Sequence, residues 1–160
     1  MPTFSFTYSI LPLAELSDND RQLCLKAVEA MRGSHAPYSE FNVGSAVRLA
    51  NGEVVIGANQ ENASYPCGTC AERTALNYAK TAYPDAKVEA IAIAAISADT
   101  KTSTLPYPCG LCRQAMVEVE HLQGTPIKVL VVGMQEVALF TSASCLLPFA
   151  FNQHQSSNEE

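Results

Sequence analysis

The stretch Val-Glu-Ala-Ile-Ala-Ile-Ala-Ala-Ile, residues 88–96, is an almost continuous apolar run. It has the length of a strand, and apolar side chains occupy both its odd and its even positions. Apolar residues in both positions indicate a strand whose two faces are buried. The run therefore predicts the central strand of an α/β domain.

The segments on either side of this run complete a sheet. Asn51-Gly52 separates the apolar residues 43–50 from residues 54–57, which is the strongest short signal for an antiparallel hairpin. Further strands are predicted at 127–132 and 137–140, and helices after Ser17, after Cys70 and from about Gly110. Strands joined through helices need parallel neighbours, whereas a hairpin needs an antiparallel pair. We therefore expect a three-layer α/β/α fold in which helices flank a single mixed β-sheet.

The composition indicates one globular domain that does not bind long nucleic acids. Of 160 residues, 48% are hydrophobic and 16% are charged, which excludes general disorder. The formal net charge of −6 would repel the phosphates of DNA or RNA, but it permits binding of an uncharged nucleoside. We expect one domain over residues 1–151 and a flexible tail over residues 152–160.

The sequence pattern favours a cytoplasmic protein. The apolar run is far shorter than the ~18 residues that a membrane helix needs. No Lys or Arg precedes Arg21, so the basic region of a secretion signal is not found. In a reducing compartment, the six cysteines are expected to bind metal, to act as nucleophiles or to pack in the core.

Four of the cysteines form two Cys-x-x-Cys pairs, Cys67/Cys70 and Cys109/Cys112. Their spacing alone leaves open a structural zinc site with four thiolates, a redox dithiol, and a catalytic zinc site with three thiolates. The neighbouring residues favour the catalytic site. Glu72 lies two residues after Cys70, and a proline precedes Cys109, which is the arrangement of zinc deaminases.

Five segments, in order along the chain, carry a resemblance to a known family. They are 37–44 (PYSEFNVG), 59–66 (NQENASYP), 70–75 (CAERTA), 108–114 (PCGLCRQ) and 146–151 (LLPFAF). Together they closely resemble the small homotetrameric, zinc-dependent cytidine deaminases. The resemblance implies a pyrimidine-salvage hydrolase that deaminates cytidine and 2′-deoxycytidine to uridine and 2′-deoxyuridine and releases ammonia. Water activated by zinc would attack C4 of the base.

The resemblance also implies roles for residues around the metal. The zinc ligands would be Cys70, Cys109 and Cys112, and Glu72 would be the proton shuttle. Arg73 and Gln114 would hydrogen-bond the thiolates and moderate their charge. Cys67 departs from the family pattern, in which an apolar residue is common at this position, and we interpret it as a loop residue that does not bind the metal.

Substrate binding is implied for a further set of residues. Asn59 and Glu61 match the pair that hydrogen-bonds the ribose, Phe41 matches an aromatic wall beside the base, and Ala71 lies between a ligand and the shuttle. Three residues are expected to reach a neighbouring subunit's site in a homotetramer with shared sites: Ala63, Tyr65 and Phe151. Two alternatives stay open. They are a deaminase for another aminopyrimidine nucleoside, such as a blasticidin-type antibiotic or a modified cytidine, and a structural four-cysteine zinc module.

Overall fold

The structure is a computed structural model that describes residues 1–97 and 105–152. Within these residues the strands are β1 (Ser9–Pro12), β2 (Phe41–Leu49), β3 (Val54–Ala58), β4 (Val88–Ser97), β5 (Lys128–Val132) and β6 (Glu136–Phe140). The α-helices are α1 (Asp18–Ala30), α2 (Ala71–Ala82) and α3 (Gly110–Gln123). Most of the polar loop predicted at 99–108, and nearly all of the predicted tail at 152–160, lie outside the described residues.

Strand β4, formed by the apolar run, lies inside the sheet as predicted. The strand order is β1-β6-β5-β4-β2-β3, with β4 parallel to β5 and antiparallel to β2. Strands β2 and β3 form the predicted hairpin, in which Gly52 has a φ of +89°, a conformation that favours glycine. The prediction of a single mixed sheet is confirmed.

The sequence pattern does not predict strand β1. This strand pairs with β6 at the edge of the sheet, where Ser9 lies opposite Leu139. It has four residues and is mostly exposed, so it lacks the apolar alternation by which a strand is recognised. The preceding residue, Tyr8, stacks on Phe140 with ring centroids 5.2 Å apart. Aromatic packing thus accompanies the short ladder at this edge.

Helices cover both faces of the sheet, which gives the predicted three layers. In β4, Ala90, Ala92 and Ala94 belong to the apolar cluster formed with α1, whereas Ile91 and Ile93 belong to the cluster formed with α2 and α3. Small side chains on one face allow α1 to pack closely, and larger ones fill the layer under the other two helices. Within the described residues, no helix is long and apolar enough to cross a membrane.

Helix α1 begins where the sequence predicts. The Ser17 hydroxyl accepts a hydrogen bond from the backbone N–H of Asp20 at 3.2 Å, which is the expected N-cap. The buried Asp20 carboxylate forms ion pairs with Arg48 and Lys128 at 3.0 and 2.7 Å, which tie α1 to two strands. Val28 is 41% exposed because it lies about 100° around the helix from the centre of the buried stripe.

Two glycines allow helices to touch the backbone of the sheet. A Cβ atom at Gly44 would lie 2.1 Å from the carbonyl oxygen of Ala27 in α1. A Cβ atom at Gly57 would lie 2.5 Å from the backbone nitrogen of Ala75 in α2. Both distances are far below van der Waals contact, so neither position has room for a side chain. Gly57 thereby sets the distance between β3 and the helix that carries Glu72.

Candidate active site

Two helix N-termini meet and bring three thiols together. Cys70 is the N-cap residue of α2, Cys109 is the N-cap residue of α3, and Cys112 lies in the first turn of α3. The Sγ atoms of Cys70 and Cys109 are 3.8 Å apart, and those of Cys109 and Cys112 are 3.5 Å apart. All three Sγ atoms lie within 4.8 Å of one another. The helix starts predicted from the sequence therefore converge on one point.

The spacing of these sulfurs fits a zinc ion. Zn–S bonds of about 2.3 Å at tetrahedral angles separate two ligand sulfurs by about 3.8 Å. Three protein ligands leave one position of a tetrahedral ion open, as in catalytic zinc sites. Across residues 1–97 and 105–152, the only such cluster is this one, and it excludes the exposed Cys67. The arrangement required by a four-thiolate structural module is therefore not formed.

Positive charge beside the cluster favours a thiolate. Hydrogen bonds with Cys112 and Cys109, together with the guanidinium of Arg73, lower the pKa of Cys70. The bond with Cys70 and burial raise the pKa of Cys112. The buried Nε of Arg73 has no hydrogen-bond partner among the described residues. A buried donor next to thiolates fits a sulfur acceptor, which supports the predicted role of Arg73.

Glu72 lies in the first turn of α2 and is only 5% exposed. Burial raises the pKa of its carboxyl group, and the negative charge of Cys70 adds to this effect. Glu72 lines the same cavity as Cys70 and Cys109. A carboxyl group in this position can accept and return protons beside the three-thiol cluster.

The cavity in front of Glu72 has a volume of about 640 Å³, which is within the usual range for a small-molecule site. Five of the predicted substrate-binding residues line it: Phe41, Asn59, Glu61, Tyr65 and Ala71. Ala63 and Phe151 are exposed and are not among the described lining residues. The sequence does not single out several further lining residues, which include Thr69, Ile93, Pro106 and Tyr107.

Glu61 is held by the loop before β2. Its Oε2 atom accepts hydrogen bonds from the backbone N–H groups of Tyr38 and Ser39, at 2.9 and 3.3 Å. Its Oε1 atom accepts a hydrogen bond from the Ser39 hydroxyl. The Ser39 hydroxyl, followed by the Tyr38 N–H, lowers the pKa of Glu61. The carboxylate is thus kept charged and in one orientation within the cavity.

The side chain of Asn59 is also fixed by hydrogen bonds to the protein. Its Oδ1 atom accepts hydrogen bonds from the Val43 backbone N–H at 2.8 Å and from the Ser34 hydroxyl at 2.5 Å. Its Nδ2 atom donates to the Phe41 carbonyl oxygen at 2.9 Å. The two residues assigned to the sugar are therefore positioned before any ligand binds.

The Gln114 side chain contacts the C-terminal segment. Its amide donates to the Phe151 carbonyl oxygen at 2.9 Å and accepts from the Phe151 N–H at 3.1 Å. Gln114 lies two residues after Cys112, about 200° around the helix, so its side chain leaves α3 on a different side from that thiol. The side chain thus fixes the backbone of the C-terminal segment. A hydrogen bond from Gln114 to the thiolates stays a prediction.

Arg113 supports the loop that carries Cys109. Its Nε atom donates to the Pro108 carbonyl oxygen at 2.8 Å, and its Nη1 atom donates to the Leu146 carbonyl oxygen at 3.1 Å. The side chain thus connects the residue before a predicted ligand to the C-terminal segment. Sequence reasoning missed this role, although an arginine directly after a ligand in the first turn of a helix is a usable signal.

Glu120, on the same helix, is a second anchor for the end of the chain. Its buried carboxylate accepts hydrogen bonds from the backbone N–H groups of Ile127 at 2.7 Å, Ala143 at 2.8 Å and Ser144 at 3.1 Å. The hydroxyls of Ser142 and Ser144 also donate to it. Burial alone would raise the pKa of Glu120, but these hydrogen bonds outweigh burial and lower it. The carboxylate therefore stays charged and holds the turn at 143–146.

The remaining cysteines have packing roles. Cys24 is fully buried in the cluster under α1, and burial raises the pKa of its thiol to about 12. Cys145 packs against the core on the other side of the sheet. Neither belongs to the three-thiol cluster.

Comparison with known proteins assigns this arrangement to a family. Residues 17–125 match the cytidine and deoxycytidylate deaminase zinc-binding region. The chain is 44% identical over 133 residues to a cytidine deaminase of Halalkalibacterium halodurans, and the match covers 82% of this chain and 94% of that protein.

Solved structures agree with the sequence comparison. The crystal structure of cytidine deaminase from Burkholderia pseudomallei superposes with a TM-score of 0.70 at 38% identity, covering 85% of this chain and all of that one. The corresponding structure from Mycobacterium tuberculosis gives a TM-score of 0.64 at 29% identity and covers 85% of this chain and 98% of that one. The similarity in fold thus covers most of the chain.

Proposed function

The chain belongs to the cytidine and deoxycytidylate deaminase family, and on that basis we propose that it hydrolyses cytidine and 2′-deoxycytidine to uridine and 2′-deoxyuridine with release of ammonia. The observation that carries the proposal is the position of Glu72. This buried carboxyl group lines one cavity together with Cys70 and Cys109 of the three-thiol cluster, and the cavity also holds a pair of polar residues suited to a sugar. The product would enter pyrimidine salvage.

Cys70, Cys109 and Cys112 would hold the zinc ion as thiolates. A zinc ion bound there would act as a Lewis acid and lower the pKa of a water molecule from 15.7 towards ~7. Arg73 would offset the surplus negative charge of three thiolates, which is the function suggested by its buried Nε, for which the described part of the chain offers no hydrogen-bond partner. The positive ends of α2 and α3 would act in the same direction.

Glu72 would move the protons of the reaction. It would take a proton from the attacking water and deliver it to ring nitrogen N3 while the water oxygen bonds to C4. A second transfer through the same carboxylate would carry the remaining hydroxyl proton to the amine on C4. The C4–N bond would then break, and the amine would leave as ammonia. One carboxylate suffices because its base and acid roles follow one another.

The other cavity residues would hold C4 beside the metal. Phe41 would form the wall next to the base, while Asn59 and Glu61 would bind a sugar hydroxyl. Asn59 has one N–H left to donate, and Glu61 has one acceptor position left on Oε1, because their other groups bind the protein itself. One donor and one acceptor suit a single hydroxyl group. Fixing that hydroxyl would convert a random encounter into an oriented one.

We also propose that the active form is a homotetramer whose subunits share sites. Phe151 is 70% exposed and Tyr65 is 78% exposed, which suits residues that contact a neighbouring subunit, and Ala63 is exposed as well. Phe149, at 91% exposed, adds apolar surface beside Phe151. Light scattering across a dilution series, with specific activity measured in parallel, tests this. A fully active monomer would contradict shared sites and leave the chemistry of the site intact. A cytoplasmic location is proposed as well, because the cytosol keeps thiols reduced and so available to bind a metal.

The test of the function is the replacement of Glu72 by glutamine, which keeps the shape of the side chain and removes its ability to take a proton. We expect Glu72→Gln to retain zinc and fold but to lose about 10²–10⁴-fold in kcat, followed as the loss of cytidine absorbance. Glu29→Gln, an exposed change on α1, is the matched control and should leave kcat unchanged. If Glu72→Gln keeps a tenth or more of kcat, the shuttle assignment is wrong. If the zinc-loaded protein deaminates neither cytidine nor 2′-deoxycytidine, the proposed function is wrong.

A further inference from the structure

The amide of Asn59 can adopt only one orientation. The backbone N–H of Val43 can only donate, so the atom 2.8 Å from it must be Oδ1. The carbonyl oxygen of Phe41 can only accept, so the atom 2.9 Å from it must be Nδ2. The orientation of this side chain therefore follows from the backbone.

Ser34 adds a third contact to this amide. It directly follows the short 3-10 turn at 31–33, which continues α1, and its hydroxyl lies 2.5 Å from Oδ1 of Asn59. Because Oδ1 carries no hydrogen, the Ser34 hydroxyl must be the donor. The two acceptor positions of Oδ1 are then filled by Val43 and Ser34. Asn59 consequently faces the cavity as a donor only, with one N–H.

From this hydrogen bonding, and resting on the proposed function, we infer that Ser34 is a positioning residue that determines how the sugar is recognised. Ser34 fills the last acceptor position of Asn59, so Asn59 can only donate, and Glu61 can only accept. A ligand group that both accepts from Asn59 and donates to Glu61 is a hydroxyl. Neither an ether oxygen nor a hydrogen at the same place meets both requirements. Ser34 touches neither substrate nor metal in this reading and acts through Asn59.

Removal of the Ser34 hydroxyl should affect binding more than chemistry. Ser34→Ala frees an acceptor position on Oδ1 and leaves the amide with two anchors, whereas Glu72 and the thiols are untouched. Loss of one hydrogen bond of this kind changes a binding affinity by roughly 3- to 10-fold. We expect KM for a nucleoside carrying the recognised hydroxyl to rise by about this factor, with kcat within about twofold of the unmodified protein.

The experiment compares cytidine, 2′-deoxycytidine and 3′-deoxycytidine with the zinc-loaded protein. The hydroxyl whose removal lowers kcat/KM most in the unmodified protein is the recognised one. For the analogue that lacks it, Ser34→Ala should change KM by less than about twofold, because the contact that Ser34 prepares is already missing. Ser34→Thr keeps the hydroxyl and should restore KM for the complete substrate.

Ser17→Ala is the matched control, since it removes a serine hydroxyl hydrogen bond from the other end of α1. It should lower the free energy of unfolding without changing KM for any of the three nucleosides. If Ser34→Ala leaves KM unchanged, or raises it equally for all three nucleosides, the role of Ser34 is refuted while the proposed function stands. If the unmodified protein turns over none of them, both are refuted.

Discussion

Replacing Gly57 by alanine should lower activity strongly, because the added methyl group would push α2 away from β3. The added Cβ atom would lie 2.5 Å from the backbone nitrogen of Ala75, 2.9 Å from the Ala71 carbonyl oxygen and 3.0 Å from the Cα of Ala75. All of these are backbone atoms, so no side chain can rotate away. Ordinary contact begins near 3.5 Å, so α2 must move by about 1 Å.

That movement displaces the start of α2, where Cys70 and Glu72 lie. A misplacement of about 1 Å can reduce catalysis by about 10²-fold, whereas overpacking typically costs about 1–3 kcal/mol of stability. We therefore expect Gly57→Ala to remain folded at 25 °C with kcat/KM for cytidine lowered by about two orders of magnitude. Cytidine absorbance, zinc per chain and thermal unfolding are the measurements.

Gly110→Ala is the matched control because it adds the same methyl group beside the same site. Apart from its chain neighbours and the backbone of its own helix, no heavy atom of residues 1–97 and 105–152 lies within 4 Å of the Cβ that it would introduce, and the position is exposed. Gly110→Ala should keep full activity, and its free energy of unfolding should rise by up to about 1 kcal/mol, because alanine lowers the conformational entropy of the unfolded chain. If Gly57→Ala behaves like Gly110→Ala in both activity and stability, the close approach of α2 does not control the site.

Three further predictions concern the metal, the substrate and the C-terminal anchor. Serine in place of any one of the three clustered cysteines should reduce zinc per chain and activity together, whereas Cys67→Ser should change neither; zinc loss in Cys67→Ser would favour a four-thiolate site. Free cytosine should be a poor substrate, because the polar pair assigned to the sugar stays unpaired without it, and equal kcat/KM for cytosine and cytidine would remove that pair from the site. Glu120→Gln should lower the free energy of unfolding by about 3 kcal/mol at pH 7. Because the pKa of Glu120 is lowered in the folded protein, its contribution is present above the unfolded pKa of about 4.3 and is lost as the pH falls through the folded pKa. Urea titrations should therefore show the difference between the two proteins shrinking below about pH 4, and a constant difference would contradict the charged state.

Much of the fold could be predicted because its signals are local. The Ser17 cap, the Asn51-Gly52 turn and the apolar run at 88–96 each depend on residues within one element, and the structure has each of them as predicted. Strand β1 was missed for the same reason. Its pairing with β6 joins residues about 130 positions apart and leaves no periodic pattern in its four residues.

The residues that could form the metal cluster are evident from the chain alone, since cysteine, glutamate and proline at these spacings suit few other sites. Which of them meet depends on the packing of distant segments. It brought Cys70 to within 3.8 Å of Cys109, left Cys67 outside, and turned Gln114 towards Phe151. Ser34 and Asn59 are likewise 25 residues apart in the chain and meet only because α1 packs against the sheet. The difference lies in how far apart in the chain the interacting residues are. Periodicity and capping act over one or two helical turns, whereas these contacts depend on how whole helices pack against the sheet.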